Sequence, residues 1–265
     1  MQTSAMSPSP PTPRSSTTGD ERLVDVFNRY FEVIYADSDE LRDLVFRIRY
    51  QVYCIETHFE DPADYPEALE RDAYDDQALH VLLRHRATGW SAGTARLALV
   101  GEREQQFPVE RACGEVFSEE RLAGFVYERG RTAEVSRFAV SKEFRRRYKE
   151  FLSPTGIGPD DPNDASREGD RRTRDRESNV VPHIQLGLIR GLVGQSLRHD
   201  VRYWCAAMEP ALLRRLARIG IHFHDSGKPV DYHGKRQPCI AELDELLAHV
   251  EQERRDVWEV LVLDQ

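Results

Sequence analysis

The chain has 265 residues, 40% hydrophobic and 31% charged, with a formal net charge of −9. That length suits one large domain or two small ones with a core to bury. The acidic balance argues against general nucleic-acid binding, and no apolar run approaches the ~20 residues a membrane helix needs.

Residues 1–19 are rich in Ser, Thr and Pro and lack an apolar signal core, so they read as a disordered tail. Residues 20–265 read as a single domain. "ERLVDVFNRYF" has helical apolar spacing, and "FEVIYA" (Phe31 to Ala36) reads as a strand. Ser38, three residues before Leu41, predicts a capped amphipathic helix in "DSDELRDLVFRIRYQVYCIE", with Leu41, Leu44, Val45, Ile48, Val52 and Tyr53 toward the core. A long acidic loop follows, "THFEDPADYPEALERDAYDD". "ALHVLLRH" and "GTARLALV" then bracket a turn and predict a β-hairpin.

"FPVERACGEVF" predicts a short helix and "AEVSRFAV" (Ala133 to Val140) a strand. The charged stretch from Lys149 to Asn179 reads as a mobile polar insertion. Pro182 suits the first turn of a helix with Ile184, Leu188 and Val193 on its apolar face. "VRYWCAAM" reads as a buried strand. "EPALLRRLARIGI" reads as a helix opened by Pro210 and closed by Gly220. Two short strands around a turn, the helix "DELLAHVEQERR" and a last strand "VWEVLVL" complete the chain. This order predicts an α+β fold, three-layer α/β/α, around a mostly antiparallel sheet. The G-x-G-x-x-G and P-loop patterns are absent from it.

Cys54, Cys113, Cys205 and Cys239 are scattered without a C-x-x-C pair, which disfavours a zinc site or disulfide framework and places the chain in a reducing cytoplasm. Cys205, in an apolar strand, reads as a small core residue. His183, His199, His222, His224 and His233 do not have metal-ligand spacing.

"LERDAYDD" puts Glu70, Asp72 and Asp75 close together, and Arg49, Arg96 and Arg137 lie on elements expected to face the core. Structural ion pairing is the plain reading of each residue taken singly. A calcium loop would want more oxygen ligands, and a transition metal would favour His or Cys. As a set, the charges suit a polar site for a small zwitterion, with arginine gripping a carboxylate and acids an ammonium. Alternation puts Glu134 and Ser136 on one strand face and Arg137 on the other, so a bulge there is needed to bring all three to one site.

Arg49-x-x-x-Tyr53, Glu70-x-Asp72-x-x-Asp75, Gly93-x-x-Arg96-Leu97 and Glu134-x-Ser136-Arg137 together resemble the acyl-homoserine-lactone autoinducer synthases, within the superfamily of GCN5-related N-acetyltransferases (GNAT). "RYQVYCIETHFE" and the stretch ending "YHGKRQP" are similar to the acyltransferases of the PEP-CTERM/exosortase system, which resemble long-chain N-acyl amino acid synthases. "CIETHFE" lacks the Trp that the lactone synthases carry.

The resemblance implies a GNAT-like fold whose central sheet is splayed at the middle. It implies transfer of a fatty acyl group from an acyl carrier protein or CoA thioester to the amine of an amino acid, without metal or cofactor. The alternatives are a lactone synthase using S-adenosylmethionine, or a non-catalytic carrier-binding module. Glu134 would be the general base, with Ser136 and Arg137 beside it. Backbone N–H groups near Phe138 to Val140 would hold the oxyanion. Arg49, Tyr53, Glu70, Asp72, Asp75 and Arg96 would line or brace the acceptor site, and Glu70 could do no more than brace an arginine. Arg145, Arg146, Arg147 and Lys149 would meet the donor phosphate or the acidic carrier protein. Tyr232 and His233 are weaker candidates for protonating the leaving thiolate. The fatty product would give the protein peripheral membrane contact at most.

Overall fold

The computed structural model of the chain describes residues 21–100, 106–113, 128–152, 167–232 and 234–263, without side chains for 149–152 and 167–181. Helix α1 (Leu23–Tyr30) runs directly into strand β1 (Phe31–Tyr35). Ser38 caps α2 (Asp39–Tyr50), its hydroxyl accepting the Leu41 N–H at 3.4 Å, and Asp39 and Glu40 complement the helix dipole. The helix then widens into a π-helical turn, Gln51–Glu56. The hairpin is β2 (Ala78–His85) and β3 (Ser91–Leu99). There follow α3 (Pro108–Cys113), β4 (Thr132–Val140), α4 (Lys142–Leu152), α5 (Arg167–Arg198), β5 (Tyr203–Met208) and α6 (Pro210–Ala217). The chain closes with β6 (His224–Asp225), β7 (Val230–Asp231), β8 (Lys235–Glu242), α7 (Leu243–Glu253) and α8 (Arg255–Val262).

The strands lie in the order β1-β2-β3-β4-β5-β8-β6, with β7 beside β8. Each described pairing is antiparallel except β4 with β5. That parallel pair is brief: Thr132–Glu134 opposite Tyr203–Cys205. Beyond Glu134 the two strands no longer pair, so the sheet is splayed at its middle. One face carries α1, α5 and α8 over the main core, which includes Phe27, Val81, Leu97, Val135, Leu188 and Trp204. The other face is covered by α2, whose Val45 and Phe46 cluster with Leu82 of β2, and by α3 with the residue before it, where Phe107 and Val109 cluster with Cys205 of β5. The fold is GNAT-like, an α/β/α arrangement on a mixed, mostly antiparallel sheet.

Three local readings are corrected. "VWEVLVL" is helical, within α8, because Val257, Val260 and Leu261 fall on one helical face and are buried. Pro182 lies inside α5 and does not open it. The charged run upstream is rich in Arg, a good helix former, and the backbone is helical from Arg167. The stretch from Lys149 to Asn179 therefore has helical backbone at both ends, in α4 up to Leu152 and in α5, while 153–166 lie outside the described residues. Leu44 is exposed, since α2 turns its Val45–Arg49 side inward. The tail at 1–19 also lies outside the described residues.

Gly187 and Gly191 set how closely α5 approaches the sheet. A Cβ at Gly187 would collide with Leu83 and Phe27, and one at Gly191 with Val81 and Val33. Gly191→Ala is expected to cost about 1–3 kcal/mol by overpacking, despite alanine's better helix propensity. Urea denaturation of the purified variant checks this, and an unchanged midpoint would contradict it.

Candidate active site

The site grows from an irregularity in β4. Arg96 of β3 stands opposite Ser136, and Thr94 opposite Ala139, so Arg137 and Phe138 together face Ala95. Arg137 takes up the extra residue with φ +50°, in the left-handed region. Before the bulge, Ala133 and Val135 pack into the main core; after it, Phe138 and Val140 do. The parity of the strand has switched. Glu134, Ser136 and Arg137 can therefore serve one face.

On that face three guanidinium groups interlock with carboxylates. Arg49 donates from Nε to Glu70 and from Nη1 and Nη2 to Asp75 at 2.7 and 3.0 Å. Arg96 donates from Nε to Ser136 Oγ at 3.1 Å, and from Nη1 to Asp72 and Asp75, each at 2.7 Å. Arg137 donates from Nε to Glu70 at 3.1 Å, and its Nη2 lies 3.1 Å from Asp72 and 3.7 Å from Glu60. The Arg137 guanidinium also lies 5.6 Å from the centroid of the Tyr53 ring. Arg49 and Tyr53, four residues apart across the start of the π-helical turn, thus address one network.

The network is layered. Arg49, Glu70 and Arg96 are sealed from solvent and Asp75 nearly so, whereas Arg137 and Asp72 keep 20% and 25% of their side chains exposed. Arg49, Glu70 and Asp75 therefore lie behind the accessible layer and brace it. Asp72 and Arg137 form the accessible layer. Burial alone would raise the Asp75 pKa, but Arg49 and Arg96 outweigh it and hold the carboxyl far below the usual range. Asp72 is lowered in the same way, mainly by Arg96. For Arg137, Glu70 and Asp72 overcome burial and raise the pKa.

Glu134 behaves oppositely. It is 5% exposed, and burial pushes its pKa up to about 8 against the pull of the Val109 N–H, Arg96 and Arg137. Its Oε2 accepts the Val109 N–H, from the first turn of α3, at 2.6 Å. A carboxyl poised near neutrality beside the open edge of β4 suits general acid–base work. Phe138 and Val140 turn their side chains to the α5 core, so only their backbone faces the splay.

The donor-side residues are spread out. α4 follows β4 after Ser141, and its first N–H groups are already capped: Glu56, at the end of the π-helical turn, accepts from the backbone of Lys142 at 3.1 Å and Glu143 at 3.2 Å. Arg147 pairs with Glu143 at 3.0 Å and lies over the Trp90 ring. Arg145 is half-buried and Arg146 exposed, while the Lys149 side chain lies outside the described residues. Tyr232 is exposed on the turn after β7, and His233 is not described. Cys205 is buried, its thiol pushed up by burial, in keeping with a core role.

Sequence reasoning missed Glu60, His80 and Val109. His80 faces Arg96 in register and sits 3.7 Å from Asp75, edge-on to Phe46, with its pKa lowered by burial to about 4. The alternation of "ALHV" carried that signal. The Val109 N–H had none. Among the described residues no cluster of His, Cys, Asp or Glu could hold a metal, and no helix is long and apolar enough to cross a membrane.

Residues 48–153 match the family described as an acetyltransferase (GNAT) domain. Among solved structures, TofI in a ternary complex with an inhibitor and MTA is 20% identical, covering 84% of this chain and 96% of its own, with a TM-score of 0.54. The AHL synthase LasI is 16% identical, covering 89% and 99%, with a TM-score of 0.53. MesI, a CoA-dependent acyl-homoserine lactone synthase, is 19% identical, covering 86% and 94%, with a TM-score of 0.50. No curated protein matches the sequence. Residues 48–153 thus match a GNAT acetyltransferase domain, and the chain has a GNAT-like fold.

Proposed function

We propose that this protein is an acyltransferase that moves a long-chain fatty acyl group from a carrier-protein thioester to the α-amine of an amino acid. The observation that carries the reading is the bulge at Arg137. It gathers Glu134, Ser136, Arg137, Arg96 and Asp72 where β4 leaves β5. Glu134 takes a proton from the acceptor ammonium, whose positive charge favours the carboxylate as it arrives. The freed amine attacks the thioester carbon, forming the N–C bond. The oxyanion is met by backbone N–H groups of β4 near Phe138 to Val140. When the C–S bond breaks, the second amine proton goes to the departing thiolate, giving amide and thiol. Approximation of the two substrates supplies much of the rate.

The Glu56 cap supports a carrier-protein donor over CoA, because the N–H groups that a pyrophosphate would take are already satisfied by a carboxylate. Arg145, Arg146, Arg147 and Lys149 belong to this proposal as carrier contacts. The similarity to PEP-CTERM/exosortase acyltransferases belongs to it as biological setting, in a cytoplasmic location. The second reading, a lactone synthase using S-adenosylmethionine, is favoured by the carboxylate-rich acceptor layer. Mass spectrometry of reactions of the purified protein with long-chain acyl carrier protein or acyl-CoA, and with amino acids or S-adenosylmethionine, tests these readings. N-acyl amino acids support the first and acyl lactones the second. Carrier binding without any new lipid would indicate a non-catalytic module.

A further inference from the structure

A buried carboxylate can accept a proton on demand only if something holds its charged form in place. For Glu134 that support comes from the backbone of α3, and "FPVE" (Phe107 to Glu110) explains how. Pro108 opens the helix and has no N–H to give. The next N–H, that of Val109, has no partner within the helix, and Glu134 Oε2 accepts it at 2.6 Å. A helix of six residues has little stability of its own, so its position is set from outside.

Glu110 sets it. Its Oε2 accepts the Phe107 N–H at 2.6 Å, reaching back across the first turn. Its two carboxylate oxygens also accept from Nη1 and Nη2 of Arg129, each at 2.8 Å. Arg129 stands in the short turn that leads into β4, and its guanidinium lies 5.0 Å from the centroid of the Phe107 ring. Phe107 is sealed in the core beside Val109 and Cys205. The pair is bidentate, with 25% and 13% of the Arg129 and Glu110 side chains exposed, which makes it stronger than an open surface contact. One clamp thus ties the start of α3 to the root of the strand that bears Glu134.

The groups facing Glu134 come from several elements. Arg96 of β3, Arg137 of β4 and Asp72 of the acidic loop act on it as charges. Cys113 at the end of α3, Cys205 of β5 and Tyr232 after β7 lie within electrostatic reach, and burial raises the pKa of each, so they stay neutral near pH 7. Against burial, the Val109 N–H is the strongest influence keeping the Glu134 carboxyl ionised.

Resting on the acyl-transfer reading above, we propose that Glu110 and Arg129 are positioning residues for the general base: their two-pronged pair fixes the first turn of α3, so that the Val109 N–H stays on Glu134 and favours its proton-accepting form. The clamp touches neither substrate nor the reacting atoms. It acts through one backbone hydrogen bond.

The test follows the Glu134 carboxyl directly, by ¹³C NMR titration of the full chain labelled at glutamate side-chain carboxyls, with Glu134→Gln identifying the resonance. Arg129→Gln and Glu110→Gln are both expected to raise its midpoint, by about one pH unit. Charge alone would split them, since losing a cation raises a nearby carboxyl and losing an anion lowers it. Arg129→Lys keeps the charge but not the fork; an upward shift is expected there too, and this variant carries the test if a glutamine variant does not fold. The rise of kcat/KM with pH, measured for long-chain acyl carrier protein with a fixed mixture of the common amino acids, should move up by the same amount, lowering kcat/KM at neutral pH about tenfold. Opposite shifts in the two glutamine variants, or no shift in any variant, would overturn the clamp. A shifted carboxyl with an unshifted rate profile would keep the clamp and remove Glu134 as the base.

Discussion

Glu134→Gln is expected to lower turnover by about 10²-fold or more while leaving the protein folded. The amide keeps an oxygen for the Val109 N–H, now accepted at 2.6 Å, so the first turn of α3 holds its anchor. The variant loses the group that takes the proton. The pH dependence follows from the raised pKa of about 8. In the free enzyme the base is mostly protonated at neutral pH, so kcat/KM should rise with pH and level off above about 8, and Gln should abolish that rise. Stability moves the other way. A carboxyl whose pKa is raised on folding favours the native state at acidic pH, and the contribution is lost as pH rises from the unfolded value through about 8. Glu134→Gln should flatten this decline. Rate profiles and denaturation midpoints measured from pH 5 to 9 check both. Near-normal turnover of the variant would remove Glu134 from the role.

Arg49→Ala is expected to destabilise the fold by about 3–5 kcal/mol. Glu70 and Asp75 are buried against this guanidinium, and its removal leaves them only Arg137 and Arg96 as charged partners where water cannot reach them. The wild-type Asp75 carboxyl is held far below the ordinary range, so it contributes stability above the ordinary aspartate pKa that is lost as pH falls through its folded value. Without Arg49 that pull weakens and Asp75 protonates at higher pH. The deficit of the variant should therefore shrink under mild acid. Urea denaturation at pH 5 and 7.5 would show it, and a loss under about 1 kcal/mol at neutral pH would contradict the bracing role.

Elements whose side chains obey one period were legible in the sequence. The hairpin, the strand at Ala133 to Val140 and the Ser38-capped helix are examples, because burial on one face writes itself into spacing. The charged set was legible too, since Arg49, Arg96 and Arg137 stand on elements that must face inward. What separated brace from wall was not legible. Depth depends on how the loop bearing Glu70 and Asp75 folds under α2, and no local pattern encodes that. Val257, Val260 and Leu261 show the converse limit. Valine-rich runs favour extended chain by local preference, and here packing against α5 overrides it. The Glu56 cap joins residues 86 apart in sequence, beyond the reach of motif reading.

The bulge at Arg137 also fixes the length of the central strand. Ahead of it the odd-numbered side chains enter the core; behind it the even-numbered ones do. A chain shortened by one residue at this point could keep its arginine among the carboxylates or keep Phe138 and Val140 in oil, but not both. Chemistry and cohesion are thereby tied to a single surplus amino acid, so drift in length there should be far less tolerated than drift in side-chain identity.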